Sequence, residues 1–244
     1  MQSNSIGGKT IEQALAGLSD MTEGAIVTQE AEYRERMAKA QAYMLAHNIA
    51  AIYLNAGTNL RYFTGMRWYA SERMVGAILP AQGEVVYIAP LFEIDSLNDY
   101  MVIPGEIRGW QEHESPYALF CKIITELNVG PQAKVGIDES TAFFMVDGIQ
   151  QQQTDICLIN ASAVTAHCRM HKSASEIALI QRAMDMTISV HKAAASILKE
   201  GISTKEVEAF IHQAHKKVGA ANGSYFCIVL FGKATSFPHG MKEP

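Results

Sequence analysis

The chain has 244 residues, of which 48% are hydrophobic and 18% charged, and its formal net charge at pH 7 is −5. This length and apolar content predict one large domain or two modest ones with a buried core. The weakly acidic balance argues against a nucleic acid or an anionic membrane as partner. Its four cysteines are scattered, with no Cys-x-x-Cys pair, which is typical of reduced thiols. We find no secretory leader pattern in residues 1–8 and no apolar run of bilayer length, so we expect a cytoplasmic protein.

The first predicted element is a short helix in an extension that we assign to residues 1–29. Thr10 and Gln13 form the pattern of a capping box at its start. The apolar residues that share one face of this helix are Ile11, Leu15 and Leu18. An isolated helix of this length is marginally stable, so we expect it to dock on the body of the domain or on a partner in a dimer.

From about residue 30, helical and strand patterns alternate. Apolar residues at helical spacing predict a helix through Tyr33 and Met44, and Ser115-Pro116 opens another. Strands are predicted at residues 50–54, 74–79, 84–89, 107–110, 134–137 and 156–159. Further helices are predicted at residues 92–97 and 142–149. This alternation predicts an α/β layer fold with a mixed sheet over residues 30–165.

A domain boundary is predicted within residues 161–172, and we assign residues 166–244 to a second domain. Ser173 and Glu176 form a capping box that opens a long helix. The apolar stripe of this helix consists of Ile177, Ile180, Met184, Ile188 and Leu198. His191 lies on the same face, and we interpret it as a hydrogen-bonded core histidine. The next helix, capped by Ser203, is predicted to bury Val207, Phe210, Ile211, Ala214 and Val218.

An apolar run at residues 225–231 predicts a central strand, because both of its faces are apolar. A strand needs hydrogen-bonded neighbours. This one must therefore pair with the first domain or with sequence absent from this chain. The run leads into Pro238-His239-Gly240. From the residues alone, His239 is either a plain turn histidine or a candidate to contact substrate.

Several other titratable groups are expected to have structural rather than catalytic roles. Asp138-Glu139 is expected to end a strand and to cap the helix after it, and Glu112-His113-Glu114 to lie in a surface loop. His212 and His215 fall away from the apolar stripe of their helix, which indicates a solvated face.

Four segments follow one another in an informative order. They are Asn59-Leu60-Arg61-Tyr62-Phe63-Thr64-Gly65, Arg169-x-x-Lys172-Ser173-x-x-Glu176-Ile177, Gly201 with the capped helix after it, and Phe231-Gly232 through Pro238-His239-Gly240. Together they resemble the pita-bread metallopeptidase family M24, in the branch of aminopeptidase P, prolidase and creatinase. The resemblance runs from about Tyr33 onward. It implies a creatinase-like N-terminal α/β domain followed by the first part of an α+β pita-bread catalytic domain.

The resemblance also implies a hydrolase, an Xaa-Pro aminopeptidase or dipeptidase that cleaves the bond before proline in peptides with proline at the second position, working as a homodimer. Such enzymes hold two divalent metal ions (manganese, cobalt or zinc) with two Asp, one His and two Glu, all beyond the Pro-His-Gly segment. No metal ligand can be carried over to this chain. The resemblance gives a role to one residue of this chain, His239, which would be the histidine that contacts substrate and stabilises the tetrahedral intermediate. We therefore expect the chain alone to be inactive.

The segment Arg67-Trp68-Tyr69 has two interpretations. It packs within the first domain, or, as the resemblance implies, it helps to close the substrate pocket of a dimer partner. Two other functions stay open. One is a creatinase-like amidinohydrolase that works without metals, and the other is a naturally truncated, non-catalytic dimerisation or binding module. Because an exposed apolar strand edge is an aggregation liability, we expect the isolated chain to be poorly soluble.

Overall fold

The structure is a computed structural model that describes residues 6–127, 133–152 and 156–241. The chain forms two compact units. We call Thr28–Lys172 the sheet unit, and Met1–Val27 together with Ser173–Pro244 the helical unit. The predicted boundaries after residues 29 and 165 stay predictions.

The secondary structure follows the predicted alternation closely. The helices are α1 (Ile11–Ala16), α2 (Glu30–Ala46), α3 (Thr58–Thr64), α4 (Ile94–Tyr100), α5 (Pro116–Glu126), α6 (Phe143–Gln152), α7 (Ser162–Arg169), α8 (Ala174–Ser196) and α9 (Thr204–Lys217). The strands are β1 (Ile49–Asn55), β2 (Gly76–Pro80), β3 (Val86–Pro90), β4 (Glu106–Trp110), β5 (Lys134–Ile137) and β6 (Cys157–Asn160). Short 3-10 helices span Leu91–Glu93 and Gly232–Ser236.

The strands of the sheet unit form one mixed sheet, which among the described residues has the order β4-β3-β2-β1-β5-β6. In the register of the central strand β1, Tyr53 lies opposite Ile78 of antiparallel β2 and Ile137 of parallel β5. The β3–β4 and β5–β6 pairs are parallel, and β2–β3 is antiparallel. The predicted α/β fold with a mixed sheet is confirmed, and each of the strands predicted within residues 30–165 is present with its ends displaced by no more than two residues.

Helices cover both faces of this sheet. Successive residues of a strand point to opposite faces. Ile52 and Leu54 therefore join one core with α2, α3 and α7, while Ala51 and Tyr53 join another with α5 and α6. All four side chains are fully buried. Helix α7 was not predicted, because the whole stretch at residues 161–172 was interpreted as a boundary.

The helical unit is built on α8 and α9. Both predicted capping boxes are formed, by Ser173 with Glu176 and by Ser203 with Glu206. Helix α1 packs on these two helices, and the buried residues of the shared core are Ala14, Val190, Ala194, Ile197, Phe210, Ala214 and Val218. Of the two docking surfaces predicted for α1, the structure uses the body of its own domain.

Three predictions for the helical unit were wrong. No strand forms at residues 225–231 in the part of the chain that the structure describes, because this run gains no hydrogen-bonded neighbour. The predicted stripe on α8 is not buried: its four helical members, Ile177, Ile180, Met184 and Ile188, are 47% to 57% exposed. His191 is likewise exposed rather than in the core, because α8 turns Val190 and Ala194 inward instead.

No helix in the described ranges combines the length and the apolar character that crossing a membrane requires.

Candidate functional site

The first of the four segments, Asn59 to Gly65, forms most of helix α3 and its cap. Gly65 ends the helix in the left-handed region, with φ of 76°, and donates its N–H to the carbonyl of Arg61. Only glycine adopts this conformation without strain, and a Cβ here would lie 2.9 Å from the Cβ of Val102. The buried Thr64 hydroxyl donates to the Leu60 carbonyl at 2.7 Å. The Thr-Gly pair of the segment thus terminates α3.

Asn59 connects the first segment with the second. Its side-chain amide donates to Asp138 Oδ1 and Glu139 Oε1, both at 3.1 Å. Its Oδ1 accepts a hydrogen bond from Arg169 Nη1 at 2.7 Å. Asn59 is buried, so these bonds satisfy polar atoms that water does not reach. Two stretches of sequence more than a hundred residues apart therefore meet at one side chain.

Asp138 lies at the carboxyl ends of the parallel strands β1 and β5, as the prediction of a strand end required. Its Oδ2 accepts from the backbone N–H of Asn55 at 3.2 Å, and its Oδ1 accepts from both the N–H and the hydroxyl of Ser140 at 2.8 Å. Asp138 is buried, and each of these donors, with Asn59, compensates its loss of hydration. The carboxylate thereby fixes where β1 and β5 end relative to each other.

Glu139 extends the network to helix α7. Both of its carboxylate oxygens accept from the hydroxyl of the buried Thr165 at 3.1 Å. Burial opposes ionisation of Glu139, but hydrogen bonds from its own backbone N–H, Asn59 and Thr165, together with the charge of Arg169, outweigh burial and lower its pKa. The side chain is therefore held as an anion beside Arg169. Sequence reasoning missed Thr165, since it sits in the unpredicted α7.

Tyr62 makes the second connection between α3 and α7. Its hydroxyl donates to the carbonyl of Cys168 at 2.9 Å. Its ring lies beside two guanidinium groups, with Arg36 Cζ 4.3 Å and Arg169 Cζ 5.9 Å from the ring centroid, an arrangement that is electrostatically favourable. Asn59 and Tyr62 are three residues apart and so share one face of α3. Together they hold the last turn of α7, immediately before the sheet unit ends.

The predicted substrate-contacting segment follows α3 directly. The Trp68 ring is partly buried and packs edge-on against Tyr100, with ring centroids 6.0 Å apart, as the packing interpretation requires. Arg67 is exposed, and Tyr69 is 91% exposed. The two side chains are therefore available for contact with another molecule, and their proposed role in substrate binding stays a prediction.

The chain that follows this segment is held by an ion pair. Arg73 donates from Nε and Nη2 to the two carboxylate oxygens of Glu112, each at 3.1 Å. Hydrogen bonds from Arg73 and its charge lower the pKa of Glu112. Glu112 lies in the loop that was predicted to be at the surface. The pair is solvent-exposed, so it contributes little to the stability of the fold.

His239 belongs to the helical unit, whereas Arg67, Trp68 and Tyr69 belong to the sheet unit. It lies in a turn that follows the 3-10 helix Gly232–Ser236 and is closed by a hydrogen bond from Gly240 N–H to the Phe237 carbonyl at 2.9 Å. The His239 side chain is exposed. Its predicted contact with substrate stays a prediction, and an exposed imidazole is compatible with it.

The part of the chain that the structure describes contains no group of three or more His, Cys, Asp or Glu side chains that could hold a metal ion.

Comparisons with known proteins agree with this geometry. The sequence profile of the Creatinase/Prolidase N-terminal domain matches residues 36–171, which contain the sheet, α3 and the Asn59–Arg169 network. The profile of Metallopeptidase family M24 matches residues 178–244. The match over more than half of the chain thus defines it as a chain of the creatinase–prolidase class. It belongs to metallopeptidase family M24, in the group that carries this N-terminal domain, and the resemblance drawn from the four segments is confirmed.

Individual relatives are distant. An uncharacterized peptidase of Staphylococcus aureus is 26% identical over 190 residues, which are 78% of this chain and 52% of the relative. Among solved structures, a prolidase from Thermococcus sibiricus is 25% identical with a TM-score of 0.68, and dipeptidase PepE from Mycobacterium ulcerans is 24% identical with a TM-score of 0.69. Both structural matches cover 79% of this chain and 51% of the other. The chain spans about half the length of these relatives.

Proposed function

We propose that this chain supplies the N-terminal domain and the first part of the catalytic domain of an Xaa-Pro aminopeptidase or dipeptidase. This hydrolase would cleave the bond before proline in peptides with proline at the second position. The observation that carries the proposal is the order of the two family matches, at residues 36–171 and 178–244 of one chain. Solved prolidase and dipeptidase structures of the same fold support it.

Two divalent metal ions (manganese, cobalt or zinc) would supply an activated water and polarise the scissile carbonyl when bound. Because the described residues offer no cluster of ligands, we propose that the ligands lie outside them. On this proposal the 244-residue chain by itself has no peptidase activity. We further propose a cytoplasmic homodimer. The free thiols of Cys121 and Cys168 support a reducing compartment, and the exposed Tyr69 is available for contact with a partner.

In the intact enzyme, we propose that His239 contacts substrate. Its imidazole would donate a hydrogen bond to the carbonyl oxygen that becomes negative in the tetrahedral intermediate, and such a donor is most effective where charge develops. Arg67, Trp68 and Tyr69 would help to close the substrate pocket. Trp68 would set the position of this segment by its packing on Tyr100, and the two exposed side chains would make the contacts.

The activity is tested by comparing two preparations. The purified 244-residue chain is assayed with Ala-Pro in the presence of manganese, cobalt or zinc, and we expect no hydrolysis. The protein purified from its native source is weighed by mass spectrometry and assayed with Ala-Pro and Ala-Ala. We expect a mass well above 26.7 kDa, and chelator-sensitive cleavage that favours Ala-Pro. Metal-dependent cleavage by the 244-residue chain would contradict the proposal that this chain is inactive. A native protein that does not cleave Ala-Pro would contradict the Xaa-Pro assignment.

The role of His239 is tested in the native-length protein. His239→Ala should lower kcat by about 10²- to 10³-fold, as loss of one donor to a developing oxyanion does elsewhere. His191→Ala, which removes another exposed histidine of the same unit, is the control and should leave kcat unchanged. Tyr69→Ala should raise KM and change kcat little. Equal kcat for the His239 and His191 variants would remove His239 from the mechanism.

A further inference from the structure

The described residues that precede the sheet unit form a strap across the helical unit, which we define as residues 6–25. At its first end, the N–H of Gly7 donates to the Ala195 carbonyl at 2.9 Å and the N–H of Lys9 donates to the Ser196 carbonyl at 3.0 Å. Both carbonyls lie at the last turn of α8, where helical carbonyls lack partners within the helix. The strap thus begins by satisfying the end of α8. It lies outside both family matches, which start at residues 36 and 178.

The middle of the strap is helix α1. Both hydrogen bonds of its capping box are formed, between Thr10 and Gln13. Ala14 is 3% exposed and belongs to the same core as Val190 of α8 and Phe210 of α9. The partly buried strap residues that pack on this core are Ile11, Leu15, Leu18 and Met21. Helix α1 therefore covers a surface to which both longer helices contribute.

The other end of the strap is held by polar contacts with both helices. The N–H of Met21 donates to the carbonyl of Val218, just beyond α9, at 3.0 Å. The guanidinium of Arg182, on α8, donates to the carbonyls of Met21 and Glu23 at 2.5 and 2.8 Å. Hydrogen bonds from a charged donor are stronger than neutral ones. The residues that follow, Ile26 and Val27, are about 70% exposed.

From these contacts we propose that the strap is an intrachain clamp, a docked segment that keeps α8 and α9 packed together. Two helices alone bury little apolar surface, and α1 supplies the third element that encloses the shared core of α8 and α9. Because the strap is anchored at both ends and in the middle, it should remain docked even when it is no longer covalently joined to the sheet unit. This proposal does not depend on the peptidase function.

The docking is tested by cutting the chain behind the strap. A specific protease site is inserted between Val27 and Thr28 of the full chain, the protein is cleaved, and retention of the strap fragment is measured by native mass spectrometry and size exclusion. We expect the fragment to stay bound. In Ala14→Glu, a carboxylate would enter the shared core without a partner, and the retained fraction should fall about tenfold or more. Ala16→Glu places the same side chain on the exposed face of α1 and should retain the fragment.

Release of the fragment from the cleaved parent chain would overturn the proposal, as would equal retention in the two glutamate variants. Retention that depends on protein concentration would indicate straps exchanged between copies and would overturn intrachain docking. A measurement on the uncut parent chain covers the case in which Ala14→Glu fails to fold. The amides of Gly7, Lys9 and Met21 should be protected from hydrogen exchange, and exchange at the rate of an open loop would contradict the clamp.

Discussion

The sheet unit and the helical unit treat their large apolar side chains differently. In the sheet unit, helices cover both faces of the sheet, and residues such as Tyr53, Phe63 and Phe120 are fully buried. In the helical unit, the α8 stripe and the run at residues 225–231 keep large apolar side chains exposed, including Ile180 and Tyr225. Contiguous exposed apolar surface marks an interaction site or an aggregation liability. The sheet unit thus buries two large cores, one on each face of its sheet, whereas the helical unit buries a smaller core that the strap helps to cover.

The comparison predicts that an isoleucine-to-alanine substitution lowers stability more in the sheet unit than on the α8 stripe of the helical unit. Ile52→Ala in the sheet unit should destabilise it by about 2–5 kcal/mol, because it leaves a cavity in a packed core. Ile180→Ala on α8 should change stability by no more than about 0.5 kcal/mol, because the side chain is already half in water. Both tryptophans, Trp68 and Trp110, lie in the sheet unit, so urea unfolding followed by tryptophan fluorescence reports on Ile52. Far-UV circular dichroism and hydrogen exchange in α8 report on Ile180.

A large loss of stability for Ile180→Ala would mean that the α8 stripe is covered in solution, by a second copy or another polypeptide, and would break the comparison. The same variant also bears on the solubility prediction. Removing apolar surface from α8 should reduce light scattering by the isolated chain, whereas Ile52→Ala should increase it.

The difference between the units also explains which predictions succeeded. A sequence pattern locates the apolar residues of a segment. In strands such as β5 these residues are buried, so positions such as 134–137 were predicted correctly. The run at 225–231 has the same pattern, but a strand exists only when another strand bonds to it, and sequence does not reveal whether that neighbour is present. Asn59 and Arg169 were both recognised in separate segments. Their hydrogen bond, however, depends on the tertiary packing of α3 on α7, which no local pattern encodes.

The polar network of the sheet unit is expected to contribute less than its core but still measurably. Asn59→Ala removes a hydrogen-bond partner of the buried Asp138, the partly buried Arg169 and the exposed Glu139. It should cost about 1–3 kcal/mol, mostly because the two less accessible groups are left unsatisfied. A double-mutant cycle with Arg169→Ala should give a coupling energy of about 0.5–3 kcal/mol. Asn98→Ala, at an exposed position, is the control and should change stability little. A coupling energy near zero would mean that the Asn59–Arg169 bond contributes nothing in solution.

Substitution of one glycine in each unit is expected to have smaller effects on stability, with opposite signs. Gly65→Ala should destabilise the sheet unit by about 1–2 kcal/mol, because φ of 76° is strained for alanine and the methyl group would meet Val102. Gly17 lies in the strap with φ of −80°, and a Cβ there meets its neighbours at ordinary distances of 3.5 Å or more. Gly17→Ala should therefore stabilise the docked strap by about 0.4–1 kcal/mol through the unfolded state. Slower hydrogen exchange at the Met21 amide would register it, and faster exchange would contradict the docked conformation.

The smallest expected effect is a pH dependence that comes from Glu139. Its pKa in the folded chain is lowered, so the unfolded chain takes up the proton first as the pH falls. The stabilisation by the ionised carboxylate is therefore fully present above the ordinary glutamate pKa and is lost as the pH falls through the folded value. Glu139→Gln lacks this contribution, so the difference in unfolding free energy between parent and variant should shrink from pH 7 toward pH 3. A difference that stays constant over this range would mean that the hydrogen bonds from Asn59 and Thr165 do not favour the charged form. The network would then stabilise the position of α7 equally well with Glu139 charged or neutral.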